Sequence, residues 1–183
     1  IVIIKYTFLS QSKDKKLMAL NLELKLKIEN HSSLKQILKS IGATSEGTLD
    51  QKDIYYNITD GLLKLRIENG NLSLIRYNRE EEKTDRWSNY YVVKMEGKET
   101  EKLFLSLFPV EVEVVKKREL YLYKDTRIHL DTVENMGYFL ELETVVHSST
   151  EYAKELFDEM IEILKLDLSK QIRSSYRDLI LSI

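Results

Sequence analysis

The sequence contains no cysteine, one proline and three histidines among its 183 residues. The missing cysteines exclude disulfides, thiolate metal sites and a cysteine nucleophile, and they are compatible with a reducing cytoplasm, where we expect the protein to act. The three histidines are far apart in the sequence, which argues against a zinc site built from histidines. Acidic and basic residues nearly balance, at 30 and 28, so the chain lacks the basic footprint of a general nucleic-acid binder.

The sequence also lacks a long apolar run. A membrane-spanning helix needs about 20 apolar residues, whereas the apolar start of this chain is interrupted at Lys5 and followed by a polar stretch over residues 10–16. This order of charged, apolar and polar residues does not fit a signal peptide. We therefore expect residues 1–19 to be a peripheral N-terminal extension, residues 20–183 to form the domain, and the membrane not to be a partner.

Apolar and polar residues alternate along much of the chain, which is typical of β-strands. This alternation predicts eight strands, at residues 21–28, 48–58, 62–68, 71–77, 89–95, 110–123, 126–133 and 139–146. Asn69-Gly70 is the strongest hairpin signal. Helical spacing predicts four helices: a first capped by Ser32 or Ser33 and ended by Gly42, a second over residues 100–108 ended by Pro109, and two more over residues 150–166 and 172–183.

The short connections between the last three strands require antiparallel neighbours. Eight antiparallel strands with few long loops indicate a closed or nearly closed barrel, and a barrel of that size has room for side chains and one small ligand. The predicted fold class is therefore α+β, mainly β: an eight-stranded antiparallel β-barrel, or tunnel, with flanking helices.

Several predicted strands carry charge on every second residue. An antiparallel sheet commonly has one solvated face, which is the ordinary explanation for any single charged strand. Here, however, like charges share a face: Lys64 with Arg66, Lys116 with Arg118, and Glu141 with Glu143. Like charges side by side repel unless a group of opposite charge compensates. Val112 and Val114 have the parity of Lys116 and Arg118, so that strand face begins apolar and becomes cationic, as expected of a face that enters a lined cavity.

A series of short motifs resembles the CYTH family, the triphosphate tunnel metalloenzyme group that includes class IV adenylyl cyclases and thiamine triphosphatases. The resemblance runs from about residue 20 to the C terminus, in the family's order and spacing. No single motif is specific, but the series is. Its members are NLELK at 21–25, GLLKLR at 61–66, KRELYL at 117–122, RIHLDTVE at 127–134, GYFLELE at 137–143 and SYRDL at 175–179.

The resemblance implies a tunnel that binds a triphosphate along its axis, with basic side chains on the phosphates and acidic ones on Mg²⁺ or Mn²⁺. The expected phosphate-binding residues are Lys25, Lys64, Arg66, Arg76, Lys94, Lys116, Arg118 and Arg127, of which Arg76 and Lys94 rest on strand position alone. The expected metal ligands are Glu23, Asp131, Glu141 and Glu143, and the expected catalytic residues are Glu23, Lys25, Arg118 and Asp131. His129 shares the parity of Asp131, but a lone histidine is more often structural than functional.

The first strand departs from the family pattern. The family signature there is Glu-x-Glu-x-Lys, and this chain has Asn21 in place of the first Glu. An amide oxygen can still ligate a hard cation, but it brings no charge and holds the cation more weakly. Either the metal site is altered, or the subgroup uses one fewer carboxylate.

The resemblance implies an Mg²⁺- or Mn²⁺-dependent enzyme acting on a small-molecule triphosphate, ATP or another, and it looks closest to class IV adenylyl cyclase-like proteins, which convert ATP to cyclic AMP and pyrophosphate. One alternative is a triphosphatase that releases orthophosphate from thiamine triphosphate, a nucleoside triphosphate or tripolyphosphate. A second alternative is a module that binds triphosphate or polyphosphate without turnover. We expect no nucleic-acid partner, and either a monomer or a homodimer.

Overall fold

The structure is a computed structural model that describes residues 19–79 and 87–183. Within these ranges the strands are β1 (Ala19–Ile28), β2 (Thr44–Tyr56), β3 (Leu62–Glu68), β4 (Asn71–Arg79), β5 (Trp87–Met95), β6 (Val110–Tyr123), β7 (Thr126–Val133) and β8 (Gly137–Val145). The helices are α1 (Ser32–Ser40), α2 (Thr100–Leu107), α3 (Thr150–Leu164) and α4 (Tyr176–Leu181), with a 3₁₀ turn at Leu168–Lys170. The extension predicted for residues 1–19 lies outside the described residues, apart from Ala19, the first residue of β1.

The strands form a closed antiparallel barrel in the order β1-β5-β4-β3-β2-β6-β7-β8. Closure is made by β1, which pairs with β8 along most of its length and with β5 through its first four residues. Strands β2 and β6 are the longest and pair with each other, with shifts of register between Ser45 and Gly47 and between Tyr55 and Tyr56. The predicted fold class is confirmed.

The main apolar core lies outside the barrel, between the sheet and two helices. Leu22, Leu24 and Leu26 of β1 alternate with the polar residues of the same strand and point to this outer layer. Helices α1 and α3 cover it with Leu38 and Met160, both almost fully buried. Alternation along β1 therefore directs its apolar residues outward and leaves the opposite face to the barrel interior.

Helix α2 covers a second outer cluster, on the far side of the barrel. Its Phe104 packs with Ile54, Tyr56, Leu65 and Met95. Because Ile54 and Leu65 face this cluster, the residues that flank them in β2 and β3 face inward. The two covered faces thus fix the parity of the strands that supply most of the interior charges.

A third apolar cluster fills one end of the barrel interior. It is formed by Tyr55, Val114, Val133, Phe139 and Tyr176, the last from the start of α4. The predicted change of the β6 face from apolar to cationic is confirmed, since Val112 packs against this cluster and Lys116 lines the cavity beyond it.

Two predicted helix boundaries are corrected. The N-cap of α1 is His31 rather than a serine, and its side chain makes no cap; its Nε2 instead lies 3.3 Å from the backbone oxygen of Phe139. The last helix is shorter than predicted because a capping box between Ser175 and Asp178 starts it at Tyr176. The hairpin predicted at Asn69-Gly70 is confirmed, with φ of 47° and 82°.

None of the helices described is long and apolar enough to span a bilayer.

Candidate active site

A cavity of about 360 Å³ occupies the barrel interior next to the apolar end cluster. This volume is in the range of small-molecule sites. Nine of the twelve residues predicted from the sequence line it: Glu23, Lys25, Lys64, Arg66, Lys116, Arg118, Arg127, Glu141 and Glu143. The alternation of charge along these strands therefore marks the barrel interior rather than a solvated face.

Arg76 was predicted wrongly. Ser73 and Ile75 of the same strand line the cavity, so Arg76 has the opposite parity and faces outward. Its Nη2 pairs with Asp60 at 3.0 Å, on the exposed surface. Lys94 is also exposed and does not line the cavity, although its strand partner Ser73 does.

Asp131 lies behind the cavity wall instead of lining it. Its carboxylate is fully buried and accepts hydrogen bonds from Arg118 Nε at 2.7 Å and Nη2 at 2.6 Å, from Lys116 Nζ at 3.2 Å and from the Tyr176 hydroxyl at 2.9 Å. Burial alone would raise the pKa of Asp131, but the charges of Arg118 and Lys116 hold it well below its usual range. Asp131 is thus ionised and holds two cavity cations in position. It does not lie where the sequence interpretation expected it, among the metal ligands.

A matching arrangement on β2 and β3 involves Asp53, which the sequence interpretation missed. Asp53 accepts hydrogen bonds from Arg66 Nε and Nη2, both at 2.7 Å, and from Lys64 Nζ at 2.8 Å. Burial would raise the pKa of Asp53, yet Arg66 and Lys64 hold it far below its usual range. The available signal was parity: Asp53 alternates with Gln51 and Tyr55, and both line the cavity.

The carboxylates of β8 face a third group of cations. Glu141 pairs with Lys25 Nζ at 3.2 Å and also with Arg118 Nη2, while Glu143 pairs with Arg127 Nη2 at 3.1 Å. Burial would raise the pKa of Glu141, but Lys25 and Arg118 hold it well below its usual range. The Glu141 carboxylate is therefore ionised at neutral pH.

His129, Glu141 and Glu143 form a group that fits a divalent cation. One ligand atom from each lies within 4.8 Å of the others. Burial and the charge of Arg118 lower the pKa of His129 to about 4, so the imidazole is neutral at neutral pH. Its Nδ1 is 3.7 Å from Glu143 and 4.0 Å from Glu141, and it finds no hydrogen-bond partner among the described residues. A neutral imidazole and ionised carboxylates are the forms that bind metals.

Two residues of β1 lie beside this group. Glu23 is directly opposite Glu143 in the β1–β8 register and lines the cavity. Asn21, at the position where the family signature has Glu, is 2% exposed and also lines the cavity. The departure at Asn21 therefore falls inside the site and changes the charge of its wall.

Tyr176, at the start of α4, contacts two cavity lysines. Lys25 Nζ is 4.1 Å and Lys116 Nζ is 4.7 Å from the centre of its ring, within cation–π range. Lys25 also donates a hydrogen bond to the backbone oxygen of Ser174 at 3.0 Å. The C-terminal segment thus orients both lysines, a role that strand alternation could not predict.

Cations outnumber carboxylates on the cavity lining within the part of the chain that is described. The cations are Lys25, Lys64, Arg66, Lys116, Arg118 and Arg127, and the carboxylates are Glu23, Glu68, Glu141 and Glu143. Asp53 and Asp131, behind the wall, bring the two signs into balance. A polyanion that enters can therefore replace internal carboxylates as the partner of several cations at once.

Comparison with known proteins agrees with this geometry. The model of the CYTH domain matches residues 19–176. "Putative adenylate cyclase MJ0240" of Methanocaldococcus jannaschii is 35% identical over 172 residues, which cover 87% of this chain and 98% of that protein.

Two solved structures from Pyrococcus horikoshii OT3 have the same architecture. The PH1819 protein is 28% identical with a TM-score of 0.70, and the match covers 88% of this chain and 98% of that one. The PH1012 protein is 24% identical with a TM-score of 0.74, covering 87% and 98%, and shows likeness of fold alone.

Proposed function

The chain belongs to the CYTH family, and on that premise we propose that it is a divalent-metal-dependent enzyme acting on ATP or another organic triphosphate bound inside the barrel. The observation that carries the proposal is one cavity lined by six cations and also by the His129, Glu141 and Glu143 group. Phosphates suit the first set and a divalent cation suits the second.

The cations on β3 and β6 are the principal phosphate ligands in this proposal. Arg66 and Arg118 offer planar donors suited to two-point contact with phosphate, while Lys64, Lys116 and Lys25 act as point charges. All five are at least partly buried and each has a carboxylate partner. They are therefore oriented before a ligand arrives, which is what catalysis by positioning and charge neutralisation requires.

His129, Glu141 and Glu143 would hold the metal, with Glu23 next to them. A bound divalent cation supplies charge neutralisation on phosphate oxygens. The chain's own residues do the rest: Lys25 and Arg118 contact both Glu141 and the cavity, so they lie where phosphate and carboxylate meet. Asp131 keeps Arg118 in place from behind.

Cyclisation of ATP is the reaction we propose first, in keeping with the name of the Methanocaldococcus jannaschii relative. In that reaction the ribose 3′-hydroxyl oxygen bonds to the α-phosphorus, the bond from that phosphorus to the bridging oxygen breaks, and pyrophosphate leaves. The hydroxyl proton passes to solvent or to a nearby carboxylate.

Hydrolysis is the second candidate, because the six cations of the cavity lining suit it equally. The Asn21 amide lines the cavity where the family signature has a carboxylate, so the site has less negative charge with which to hold metal for either reaction, which favours the third candidate, a module that binds triphosphate without turnover. In hydrolysis, a water oxygen bonds to the terminal phosphorus, the bond from that phosphorus to the bridging oxygen breaks, and the diphosphate leaves. The products are orthophosphate and the diphosphate, and the water proton passes to solvent or to a nearby carboxylate.

Product analysis tests these proposals. Purified protein is incubated with Mg²⁺ or Mn²⁺ and with ATP, GTP, thiamine triphosphate or tripolyphosphate, and the products are separated by ion exchange. Cyclic nucleotide with pyrophosphate indicates the cyclase, and orthophosphate indicates the triphosphatase. Glu141→Gln should abolish metal-dependent turnover, whereas Glu155→Gln, on the exposed side of α3, should not. If neither the wild type nor Asn21→Glu turns over any substrate while triphosphate still binds, the protein is a binding module.

A further inference from the structure

Asp53 is placed to control two cavity cations without facing a ligand itself. It is 1% exposed, and Lys64 and Arg66 from the neighbouring strand donate three hydrogen bonds to it, none longer than 2.8 Å. Both bonds from Arg66 use its Nε and Nη2, so the plane of the guanidinium is fixed. Lys64 and Arg66 line the cavity, whereas Asp53 does not.

Asp53 forms an ion pair with Lys64 and places a negative charge beside it. From β2, the Tyr55 hydroxyl lies 3.4 Å from Lys64 Nζ. Arg66 on the same strand and Lys116 on β6 are cations that disfavour a charged Lys64, and β4 presents the apolar Ile75 opposite it in register. The charge of Asp53 and its hydrogen bond favour the ammonium form of Lys64, whereas the charges of Arg66 and Lys116 disfavour it.

The neighbouring strands β6 and β7 repeat this arrangement. There Arg118 also donates Nε and Nη2 to one buried aspartate, Asp131, and the lysine two residues earlier in the strand joins them. One aspartate holding one arginine and one lysine therefore occurs twice around the same cavity. A single instance would be an ordinary buried ion pair, but two of them facing one cavity indicate a common purpose.

We propose that Asp53 is a positioning residue of this site: its carboxylate fixes the Arg66 guanidinium and maintains the charge of Lys64, so that both present donors to one phosphate group of the bound triphosphate. This inference rests on the proposed function, because it requires that a triphosphate bind in the cavity. Asp53 itself has no contact with the ligand.

The proposal makes triphosphate affinity depend on pH through Lys64. Burial and Arg66 lower the pKa of Lys64 to about 7, against the opposing effect of Asp53. Lys64 is therefore charged below that pH and loses its proton as the pH rises through it, so affinity falls. Removing the Asp53 charge lowers the pKa of Lys64 further, and the loss of affinity then begins at a lower pH.

The test measures tripolyphosphate binding by calorimetry in the absence of metal, from about pH 6 to about pH 9, on either side of the Lys64 transition. Lys64→Arg is the matched control, because arginine stays charged throughout and removes the lysine's part of the pH profile. Asp53→Asn should weaken binding at pH 7 by about tenfold and move the loss of affinity about one pH unit lower, the equivalent of one pKa unit.

Asp53→Glu separates position from charge, and it keeps the test decisive if Asp53→Asn does not fold. The glutamate retains the charge but displaces the carboxylate by one methylene, so we expect weaker binding with the pH profile of the wild type. Affinity equal to that of the wild type in Asp53→Glu, or an unmoved pH profile in Asp53→Asn, would overturn the inference alone. If the wild type binds no tripolyphosphate at any pH, the proposed function fails as well.

Discussion

Replacing Asp131 by asparagine should destabilise the protein strongly, although the two side chains have nearly the same shape. The substitution removes the charge that Arg118 and Lys116 share inside the barrel wall, and it leaves an amide that can still accept one or two of the four hydrogen bonds. No cavity is created, so the change in the free energy of unfolding reports the loss of the buried anion.

Removing one partner of a buried ion pair costs about 3–5 kcal/mol, because the other charge remains buried and uncompensated. Arg118 keeps its contact with Glu141, which places the expected loss at the lower end, about 3 kcal/mol. For a chain of 183 residues, about 2–4 °C is lost per kcal/mol, so the midpoint of thermal unfolding should fall by about 6–12 °C.

Urea and thermal unfolding of the wild type and Asp131→Asn measure this difference at neutral pH. Asp60→Asn is the matched control, since Asp60 also pairs with an arginine but its side chain is 75% exposed. Asp60→Asn should lower the free energy of unfolding by less than about 1 kcal/mol, as for other exposed ion pairs. If the two substitutions cost the same, Asp131 is not the buried anchor described above.

The pH dependence gives a second check on Asp131. The pKa of Asp131 is lower in the folded state than in the unfolded chain. Its contribution to the free energy of unfolding is therefore complete above about pH 4, the pKa in the unfolded chain, and is lost as the pH falls towards the pKa in the folded state. The difference in the free energy of unfolding between the wild type and Asp131→Asn should therefore become smaller below about pH 4. If this difference in the free energy of unfolding does not change with pH, the stability lost in Asp131→Asn does not come from the charge of Asp131.

Two further predictions concern triphosphate binding. Lys25→Ala should weaken tripolyphosphate affinity by about tenfold or more, the value of a charge-assisted contact. Lys27 is an exposed residue of the same strand that does not line the cavity, so Lys27→Ala should leave the affinity unchanged. Equal losses of affinity in the two variants, measured by calorimetry, would contradict the placement of Lys25. Arg66→Ala should also weaken tripolyphosphate binding, and Arg76→Ala should not, because β4 directs Arg76 to the outer surface. A loss of affinity in Arg76→Ala would show that Arg76 faces the cavity and that the inward and outward residues of β4 are assigned wrongly.

Most of the fold follows from local signals in the sequence. The bounds of β3, β6 and β7 match the prediction, because alternation is clear there and the turns contain residues suited to positive φ, such as Asn69-Gly70. The start of α1 was missed because His31 is held by Phe139, a contact between distant parts of the chain. Capping by serine is a local rule, and here a tertiary contact replaced it.

The candidate site was predictable to the extent that parity determines it. Strand alternation gave the inward cations of β3 and β6, and it failed for Arg76 because β4 turns Leu72 and Leu74 to the outer cluster under α2. Asp53 was missed, and His129 was set aside as structural, for another reason. Their importance depends on cross-strand register, with Asp53 opposite Arg66 and His129 opposite Glu141, and register is not readable within one strand.

Register also explains why like charges share a face. Each like-charged strand lies next to one of opposite sign: Arg66 is opposite Asp53, Arg118 is opposite Asp131, and Arg127 is opposite Glu143. The compensation that such a face requires thus comes from inside the protein, and segregation by sign does not by itself demonstrate a ligand.

What the internal pairing leaves unexplained is why the interior is charged at all. Buried ion pairs are commonly no more stabilising than apolar residues of the same volume, and this chain fills the other end of the same barrel with Val114, Val133 and Phe139. Stability would favour extending that cluster through the barrel. The sequence instead keeps a cavity of about 360 Å³ lined by six cations, which is the arrangement that the proposed binding of a polyanion requires.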